Sequence, residues 1–280
     1  SRRCLGTFRK RPARSRGFVK WPIAFMANVG FEVLPAQQVA DELLGLGYDT
    51  IEWTMGHLDT LVSPGCALSC QQDLVTDPSG GLQITRHAID VAAERGIPVV
   101  NVLTGPNLWE PKAVARYDSG AWESALDALN EACDYAQPLG VTISLEPCWG
   151  TLAQDGATAR RVLAATPCSV TFDPSHFVLS GDDTPSLVRE WGDRIAHVHL
   201  KDAFGRSGLE GEDFHFCLLG EGRVPWPGFF AALEEVGYLG PLSVEFESYN
   251  YLEQILKNDP TKAARLALEQ VQALLPDLQT

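Results

Sequence analysis

Four residues whose side chains could bind a metal are spread over the second half of the chain. Each stands at or near the end of a short apolar run: Glu146, Asp173, His199 and Glu245. Three carboxylates and one imidazole form an oxygen-rich donor set, which suits Mn²⁺, Mg²⁺ or Co²⁺ better than a structural zinc. Octahedral coordination by four protein ligands leaves two positions open. A vicinal diol or a hydroxy-ketone fits such a pair of positions.

A single acid at the end of a strand is more often a helix cap or a surface residue than a metal ligand. Four metal-capable side chains after successive apolar runs are harder to explain as caps. Burying them unpaired would cost roughly several kcal/mol each, and a bound metal removes that cost. The sequence therefore predicts one divalent-metal site with these four ligands.

The elements that must position these residues alternate along the chain from residue 21 onward. Short β-branched runs predict strands at 22–27, 48–53, 66–71, 97–103, 141–146, 168–173, 194–200 and 241–246. Apolar residues at helical spacing predict helices at 36–46, 82–95, 119–137, 155–165, 184–191, 227–236 and 260–275. This alternation predicts an α/β fold, a single-domain (β/α)₈ TIM barrel over residues 21–280.

A closed parallel barrel brings the carboxyl ends of its strands to one mouth, where the four candidate ligands would meet. An open, doubly wound sheet is the alternative. It is disfavoured because the first predicted turn, 27–30, lacks the glycine pattern that binds phosphate. Three long segments, 54–65, 104–118 and 201–225, each follow a predicted strand and would therefore lie at the catalytic face as loops.

Charge and composition limit the classes of partner. No run approaches ~18 consecutive apolar residues, so we expect no membrane span. Residues 1–20 hold eight basic and no acidic residues, whereas the rest of the chain holds 14 basic and 36 acidic ones. Such an acidic body repels phosphate backbones, which argues against a nucleic-acid partner. The seven cysteines are scattered without a CxxC pair, as in a cytoplasmic protein.

The basic segment 1–20 has two interpretations. It is Arg-rich and free of acids, as a transit peptide or a nucleic-acid-binding arm would be. The interpretation that we favour is a disordered tail, which need not belong to the native protein. The segment has no apolar stretch of the kind that a secretory signal needs.

Five short motifs carry a resemblance to a known family. They are SLEPCWG (144–150), TFDPSHF (171–177), HVHLKD (197–202), LGEGRVPW (219–226) and LSVEFE (242–247). Together they resemble the sugar phosphate isomerase/epimerase group of the xylose isomerase-like TIM barrels, over residues 21–275. As an ordered set they are specific to this superfamily and much less specific to one substrate.

The resemblance implies a site and a chemistry. In the ketose 3-epimerases of this group, a metal is held by Glu, Asp, His and Glu from the last four strands, positions that fall on the four residues above. Glu146 and Glu245 would act as an acid/base pair on opposite faces of a sugar or polyol substrate. Removing a proton next to a carbonyl needs a cation to stabilise the resulting oxyanion, and inverting a carbon needs a base and an acid on its two sides. Relatives are often dimers or tetramers.

The resemblance also suggests substrate-binding residues. His176 matches the substrate-binding histidine of the DPSH motif, with a capping or core histidine as the alternative. Glu52 closes the second strand, where this group often has an acid that contacts substrate or a neighbouring side chain. Arg206 lies near the place of a substrate-binding arginine in some epimerases, but the spacing differs by one residue.

Three further candidates follow from the residues themselves. Lys201 could supply positive charge near an enediolate, and Asp202 could orient Lys201 or a histidine. Trp149 could form an aromatic wall against a sugar, or simply pack at the barrel rim. One departure stands out: the ketose 3-epimerases carry a substrate-binding glutamate six residues after the first ligand, where this chain has Leu152.

Three other functions stay open at this point. The same metal could support β-elimination, as in inosose dehydratases and in relatives that cleave 3-keto-C-glycosides. An endonuclease IV-like repair enzyme shares the barrel, but it needs a three-metal cluster with more histidines, whereas this chain has six in total and an acidic body. A non-catalytic sugar-binding protein would have no need of two opposed carboxylates on a metal.

Overall fold

All eight predicted barrel strands form, and they pair in parallel into a closed barrel. The computed structural model describes residues 21–61, 65–105, 119–205 and 213–275. Its strands are β1 (Ile23–Met26), β2 (Thr50–Thr54), β3 (Ala67–Ser69), β4 (Val99–Val102), β5 (Thr142–Leu145), β6 (Ser169–Phe172), β7 (Ile195–Leu200), β8 (Asp202–Gly205), β9 (Phe214–Cys217) and β10 (Leu242–Val244). The order around the barrel is β1-β10-β7-β6-β5-β4-β3-β2. The predicted (β/α)₈ barrel is therefore confirmed.

The helices surround the barrel at the predicted places, with two additions. They are α1 (Ala36–Leu46), α2 (Pro78–Arg95), α3 (Ser119–Ala136), α4 (Gly156–Ala165), α5 (Pro174–Ser180), α6 (Thr184–Trp191), α7 (Trp226–Val236), α8 (Tyr249–Gln254) and α9 (Pro260–Leu274). Several begin at an Asp cap, as in α4, where Asp155 and Thr158 form a reciprocal capping box. The short helices α5 and α8 were not predicted, because six or seven residues are too few to show a helical period.

The strands bury apolar side chains on their outer face and polar ones inside the barrel. Phe25, Trp53 and Phe172 are fully buried in the large apolar cluster that includes the surrounding helices. The alternate positions carry polar groups, as shown by the hydrogen bond of 2.8 Å that Thr171 Oγ1 donates to Ser144 Oγ. Alternation along a strand thus gives the barrel a polar interior directly below its mouth.

An antiparallel hairpin lies within the segment that we predicted as a long loop, 201–225. β8 pairs with β9, with Ala203 opposite Phe216. The carboxylate of Asp202 holds the base of this hairpin, because it accepts hydrogen bonds from the backbone N–H groups of four residues and from one indole. The donors are Ala203, Gly220, Gly222, Val224 and Trp226 Nε1, at 2.9–3.1 Å.

Some sequence predictions fall outside the described residues. The basic segment 1–20 is one of them, as is most of the predicted loop 104–118. Within the described ranges, none of the helices combines the length and apolar character needed to cross a membrane. Four of the six cysteines in those ranges are buried, as expected for small core residues.

Candidate metal centre

The four predicted ligands meet at the mouth of the barrel. Three of them directly follow a strand: Glu146 follows β5, Asp173 follows β6 and Glu245 follows β10. The fourth, His199, belongs to β7. One ligand atom from each of the four residues lies within 4.8 Å of the others, and all four residues are buried. Because the four strands are distant in sequence, only the closed barrel explains this convergence.

The orientation of His199 is set by Glu52, which lies in the middle of β2 rather than at its end as predicted. His199 Nε2 lies 3.1 Å from both carboxylate oxygens of Glu52. The other ring nitrogen, Nδ1, therefore faces Glu146 Oε1 at 3.3 Å and Glu245 Oε2 at 3.2 Å. Burial lowers the pKa of His199, but the Glu52 and Glu146 carboxylates outweigh burial and hold that pKa well above its ordinary value.

His197 contributes a second contact to Glu52. Its Nε2 lies 2.8 Å from Glu52 Oε2, and both side chains are fully buried. Burial raises the pKa of Glu52, but the charges of His199 and His197 lower it by more. The pKa of this carboxyl therefore lies far below its usual range. Glu52 thus contacts neighbouring side chains, which is one of the two roles that the sequence suggested.

Asp173 serves both as a helix cap and as a member of the cluster. Its Oδ1 accepts a hydrogen bond of 2.8 Å from the backbone N–H of Ser175 and caps α5. Its Oδ2 faces the site and lies 2.9 Å from Lys201 Nζ. Burial raises the pKa of Asp173, and Lys201 and His176 more than compensate, so its pKa lies well below the usual range. The capping alternative and the ligand hypothesis are therefore compatible.

Lys201 places an ammonium group inside the cluster. Its Nζ lies 2.7 Å from Glu245 Oε2 and donates a hydrogen bond of 3.0 Å to Glu247 Oε2. Burial lowers the pKa of Lys201, but Asp173 and Glu245 raise it well above its ordinary value, so the side chain is charged. The ammonium group of Lys201 thus lies beside two of the candidate ligands, Asp173 and Glu245.

His176 lies between Lys201 and two ligand carboxylates. The backbone N–H of Trp149 donates to its Nδ1 at 3.3 Å, and its Nε2 lies 3.3 Å from Lys201 Nζ. The same Nε2 lies 3.4 Å from Asp173 Oδ2 and 3.8 Å from Glu146 Oε1. Burial, followed by the charge of Lys201, lowers the pKa of His176 to about 4. The ring is therefore neutral near pH 7.

Two of the predicted substrate-binding residues, Asp202 and Trp149, contact other parts of the protein. Asp202 does not orient Lys201 or a histidine, because its two oxygens accept hydrogen bonds from the hairpin and the segment after it. Trp149 is buried, and its ring packs at 4.6 Å against Phe214 of the hairpin. Arg206 lies outside the described residues. Leu152 is buried in the apolar core.

No specific role was predicted from the sequence for three residues of the site, Asn101, His197 and Glu247. Asn101 of β4 donates a hydrogen bond of 2.9 Å to Glu146 Oε2. Glu247 binds Lys201 and accepts a hydrogen bond of 2.8 Å from Tyr249 Oη. A spacing of two residues was the available signal, because His197 precedes His199 on the same face of β7 and Glu247 follows Glu245 at the same interval just beyond β10.

The donor set fits a divalent cation. Three ligand carboxylates, between 0% and 6% exposed, are brought together with one ammonium group, that of Lys201. This leaves an excess of buried negative charge that a cation would offset. A second group, formed by Glu52, His197 and His199, fits less well, because Glu52 Oε2 is already within hydrogen-bond distance of His197 Nε2.

Comparison with known proteins agrees with this fold. The family model described as "Xylose isomerase-like TIM barrel" matches residues 78–274. The inosose dehydratase of Lacticaseibacillus casei is 28% identical over 187 residues, 62% of this chain and 58% of that protein. The fructoselysine 3-epimerase of Shigella flexneri is 28% identical over 204 residues, 70% of this chain and 67% of that protein. The chain thus spans less than two thirds of the dehydratase.

Solved structures show the same architecture. A crystal structure of the IolI protein with a bound zinc atom superimposes with a TM-score of 0.72. The two chains are 18% identical, and the match covers 92% of this chain and 99% of the other. At this level of identity, the likeness concerns the barrel alone.

Proposed function

Because the chain belongs to the xylose isomerase-like TIM-barrel family, we propose that it is a divalent-metal-dependent isomerase or epimerase of a sugar or sugar-like polyol. The observation that carries this proposal is the convergence of two carboxylates on one imidazole nitrogen. Glu146 and Glu245, from β5 and β10, both lie within 3.3 Å of His199 Nδ1. A metal bound there would be held by both carboxylates, which would then also border its substrate.

Glu146, Asp173, His199 and Glu245 would hold the metal. Mn²⁺ suits these hard donors best, with Mg²⁺ and Co²⁺ as alternatives, although the similar IolI structure holds zinc. The bound cation supplies positive charge for the oxygen of the substrate on which negative charge develops.

Glu146 and Glu245 are the proposed acid and base. One carboxylate removes the proton next to the carbonyl group of the substrate, and the other returns a proton on the opposite face. Asn101 holds Glu146 Oε2 by a hydrogen bond of 2.9 Å, and Lys201 lies 2.7 Å from Glu245 Oε2. These contacts fix both carboxylates relative to each other.

His176 and Lys201 complete the site. The His176 ring directs its Nε2 atom toward the ligand carboxylates, where this nitrogen would contact a substrate oxygen. The charged Lys201 adds positive charge next to the developing oxyanion. Glu52 keeps the Nδ1 atom of His199 directed at the metal position.

Deuterium exchange from solvent tests the proposed function. The Mn²⁺-loaded protein is incubated in D₂O with candidate ketoses and inososes, and deuterium next to the carbonyl group is measured by mass spectrometry. We expect exchange in the wild type and a loss of at least about 100-fold in Glu146→Gln and Glu245→Gln. The Glu235→Gln variant, which changes a surface ion pair with Arg189, serves as the matched control.

Metal content and folding are measured in the same variants. If Glu146→Gln and Glu245→Gln both retained full exchange, the acid/base assignment would be wrong. If they bound no Mn²⁺, the loss of exchange would report on the metal instead, and the assignment of the two glutamates as ligands would be supported.

A metal-dependent lyase is the second candidate. It is favoured by the similarity to the inosose dehydratase of Lacticaseibacillus casei. The first proton removal would be the same, and a leaving group on the adjacent carbon would then depart. An unsaturated product, detected by ultraviolet absorbance, distinguishes this β-elimination from epimerisation, which gives a product of unchanged mass.

A further inference from the structure

Two cavities with different lining residues meet beside the candidate metal centre. The first, which we call the polar cavity, has a volume of about 410 Å³ and includes Asn28, Ser69, Gln71, Gln72 and Glu245 in its lining, together with the apolar Met26 and Met55. The second, the aromatic cavity, has a volume of about 340 Å³ and is lined by Phe214, His215, Phe216, Glu247, Tyr249 and Asn250. Glu247 and Tyr249 line both.

The polar cavity is the one that reaches the metal centre, since Glu245 is both a candidate ligand and part of its wall. Amide and hydroxyl groups in its lining can donate and accept hydrogen bonds, as the hydroxyl groups of a sugar require. Its volume lies within the range of roughly 300–1,000 Å³ that is usual for small-ligand sites. It is therefore sufficient for the reacting part of a polyol.

The aromatic cavity is built by the hairpin and by α8. Phe214 and Phe216 alternate along β9 and share the face that is directed at the barrel, where Phe216 packs 5.7 Å from the His176 ring and 4.7 Å from Lys201 Nζ. Tyr249 stands opposite on α8, 55% exposed, with its hydroxyl bonded to Glu247. Aromatic side chains that line a cavity, as these three do, can pack against a flat apolar group of a ligand.

We infer that the substrate is a keto-sugar or keto-polyol that carries a bulky substituent with a flat apolar face, and that the aromatic cavity binds this substituent. The inference rests on the proposed function and names its substrate class. The free sugar would fill the polar cavity and leave the aromatic cavity unused. An aryl group and the C–H face of a second sugar ring offer the same chemistry, so either can be the substituent.

Four probes test the inference. They are D-fructose, its 1-O-benzyl and 6-O-benzyl ethers, and its 6-O-glucoside, isomaltulose. Binding to the Mn²⁺-loaded protein is measured by calorimetry, and deuterium exchange is measured separately. We expect at least one substituted probe to bind about tenfold or more tightly than fructose. A preference for a benzyl ether identifies an aryl substituent, and a preference for isomaltulose identifies a second sugar.

Variants of α8 locate the binding of the substituent. Asn250→Trp fills the aromatic cavity and should reduce the ratio of substituted-probe to fructose affinity to about one. Glu253→Trp, at an exposed position of the same helix that lines neither cavity, should preserve the ratio. Equal or undetectable binding of all four probes, or a ratio unchanged in Asn250→Trp, would overturn the inference. A binding preference without deuterium exchange would support the cavity assignment and contradict the enolisation chemistry, so the two failures are distinguishable.

Discussion

The imidazole of His199 connects the candidate metal centre to polar side chains in the interior of the barrel. His199 uses Nε2 toward Glu52 and Nδ1 toward the ligand carboxylates, and Glu52 is itself fixed by His197. Carboxylates that orient a ligating histidine contribute to metal affinity as well as to geometry. Glu52 and His197 thus support the candidate metal centre, although they would not contact the metal themselves.

The first prediction concerns Glu52. In Glu52→Gln the amide can accept a hydrogen bond through one oxygen only, so it cannot hold His197 and His199 as the carboxylate does. We expect Mn²⁺ affinity to fall by about 10- to 100-fold, as measured by calorimetry. The surface variant Glu235→Gln should bind like the wild type. An unchanged affinity in Glu52→Gln would show that His199 needs no partner on Nε2.

The second prediction concerns protons. The raised pKa of His199 means that the metal-free protein keeps its imidazole protonated near pH 7. Metal binding needs the neutral ring, so it must release about one proton, and the affinity should rise with pH until this raised pKa is passed. Calorimetry of Mn²⁺ binding in two buffers of different ionisation enthalpy measures this release. Equal apparent enthalpies in the two buffers would contradict the prediction.

The ligand positions could be predicted because strand ends in a barrel converge whatever their distance in sequence. The partners of individual side chains could not be predicted in the same way. Asp202 follows Lys201 directly, yet it faces backbone N–H groups of the hairpin base, because neighbouring residues on an extended chain point to opposite sides. Adjacency in sequence was therefore the wrong guide to its role.

At the scale of elements, the strands and long helices could be predicted because each has a clear apolar period. β8 and β9 could not, since their sequences, DAFG and FHFC, mix polar and apolar residues and the segment 206–213 separates them. α5 was missed for a related reason, although Asp173 followed by Pro174 is a recognisable helix start. Short elements depend on caps and on tertiary contacts more than on periodicity.

The third prediction belongs to the hairpin. Asp202→Ala removes the acceptor of five donors and leaves several of them buried without a partner. We expect the free energy of unfolding in urea to fall by about 2–4 kcal/mol. Asp213→Ala, at an exposed position next to β9, should change it by less than about 0.5 kcal/mol. Equal stability of the two variants would contradict the proposed anchoring role.

At the scale of the whole molecule, the fourth prediction concerns metal removal. The buried carboxylates of Glu146, Asp173 and Glu245 repel one another, and a bound cation would relieve this repulsion. Metal at about 100 times its Kd stabilises a protein by about 2.7 kcal/mol, which corresponds to about 5–10 °C in a chain of this size. A chelator should therefore lower the Tm by this amount, as measured by calorimetry.

A matched variant separates this effect from other actions of the chelator. Asp173→Asn removes one ligand charge, so the chelator should shift its Tm by much less than it shifts that of the wild type. An equal shift in both proteins would place the stabilising metal elsewhere. Association into a dimer or tetramer stays a prediction at this scale.

The two strands of the hairpin have different roles, so residues on one strand can be changed by evolution or in the laboratory without changing the other. The β8 side is fastened through Asp202, whereas the β9 side presents Phe214 and Phe216 to the barrel mouth. Residues on β9 can therefore be exchanged while the fastening and the four ligands are retained. A library randomised at positions 214 and 216, with Asp202 kept, should yield folded proteins whose substrate range differs while their cation preference stays the same.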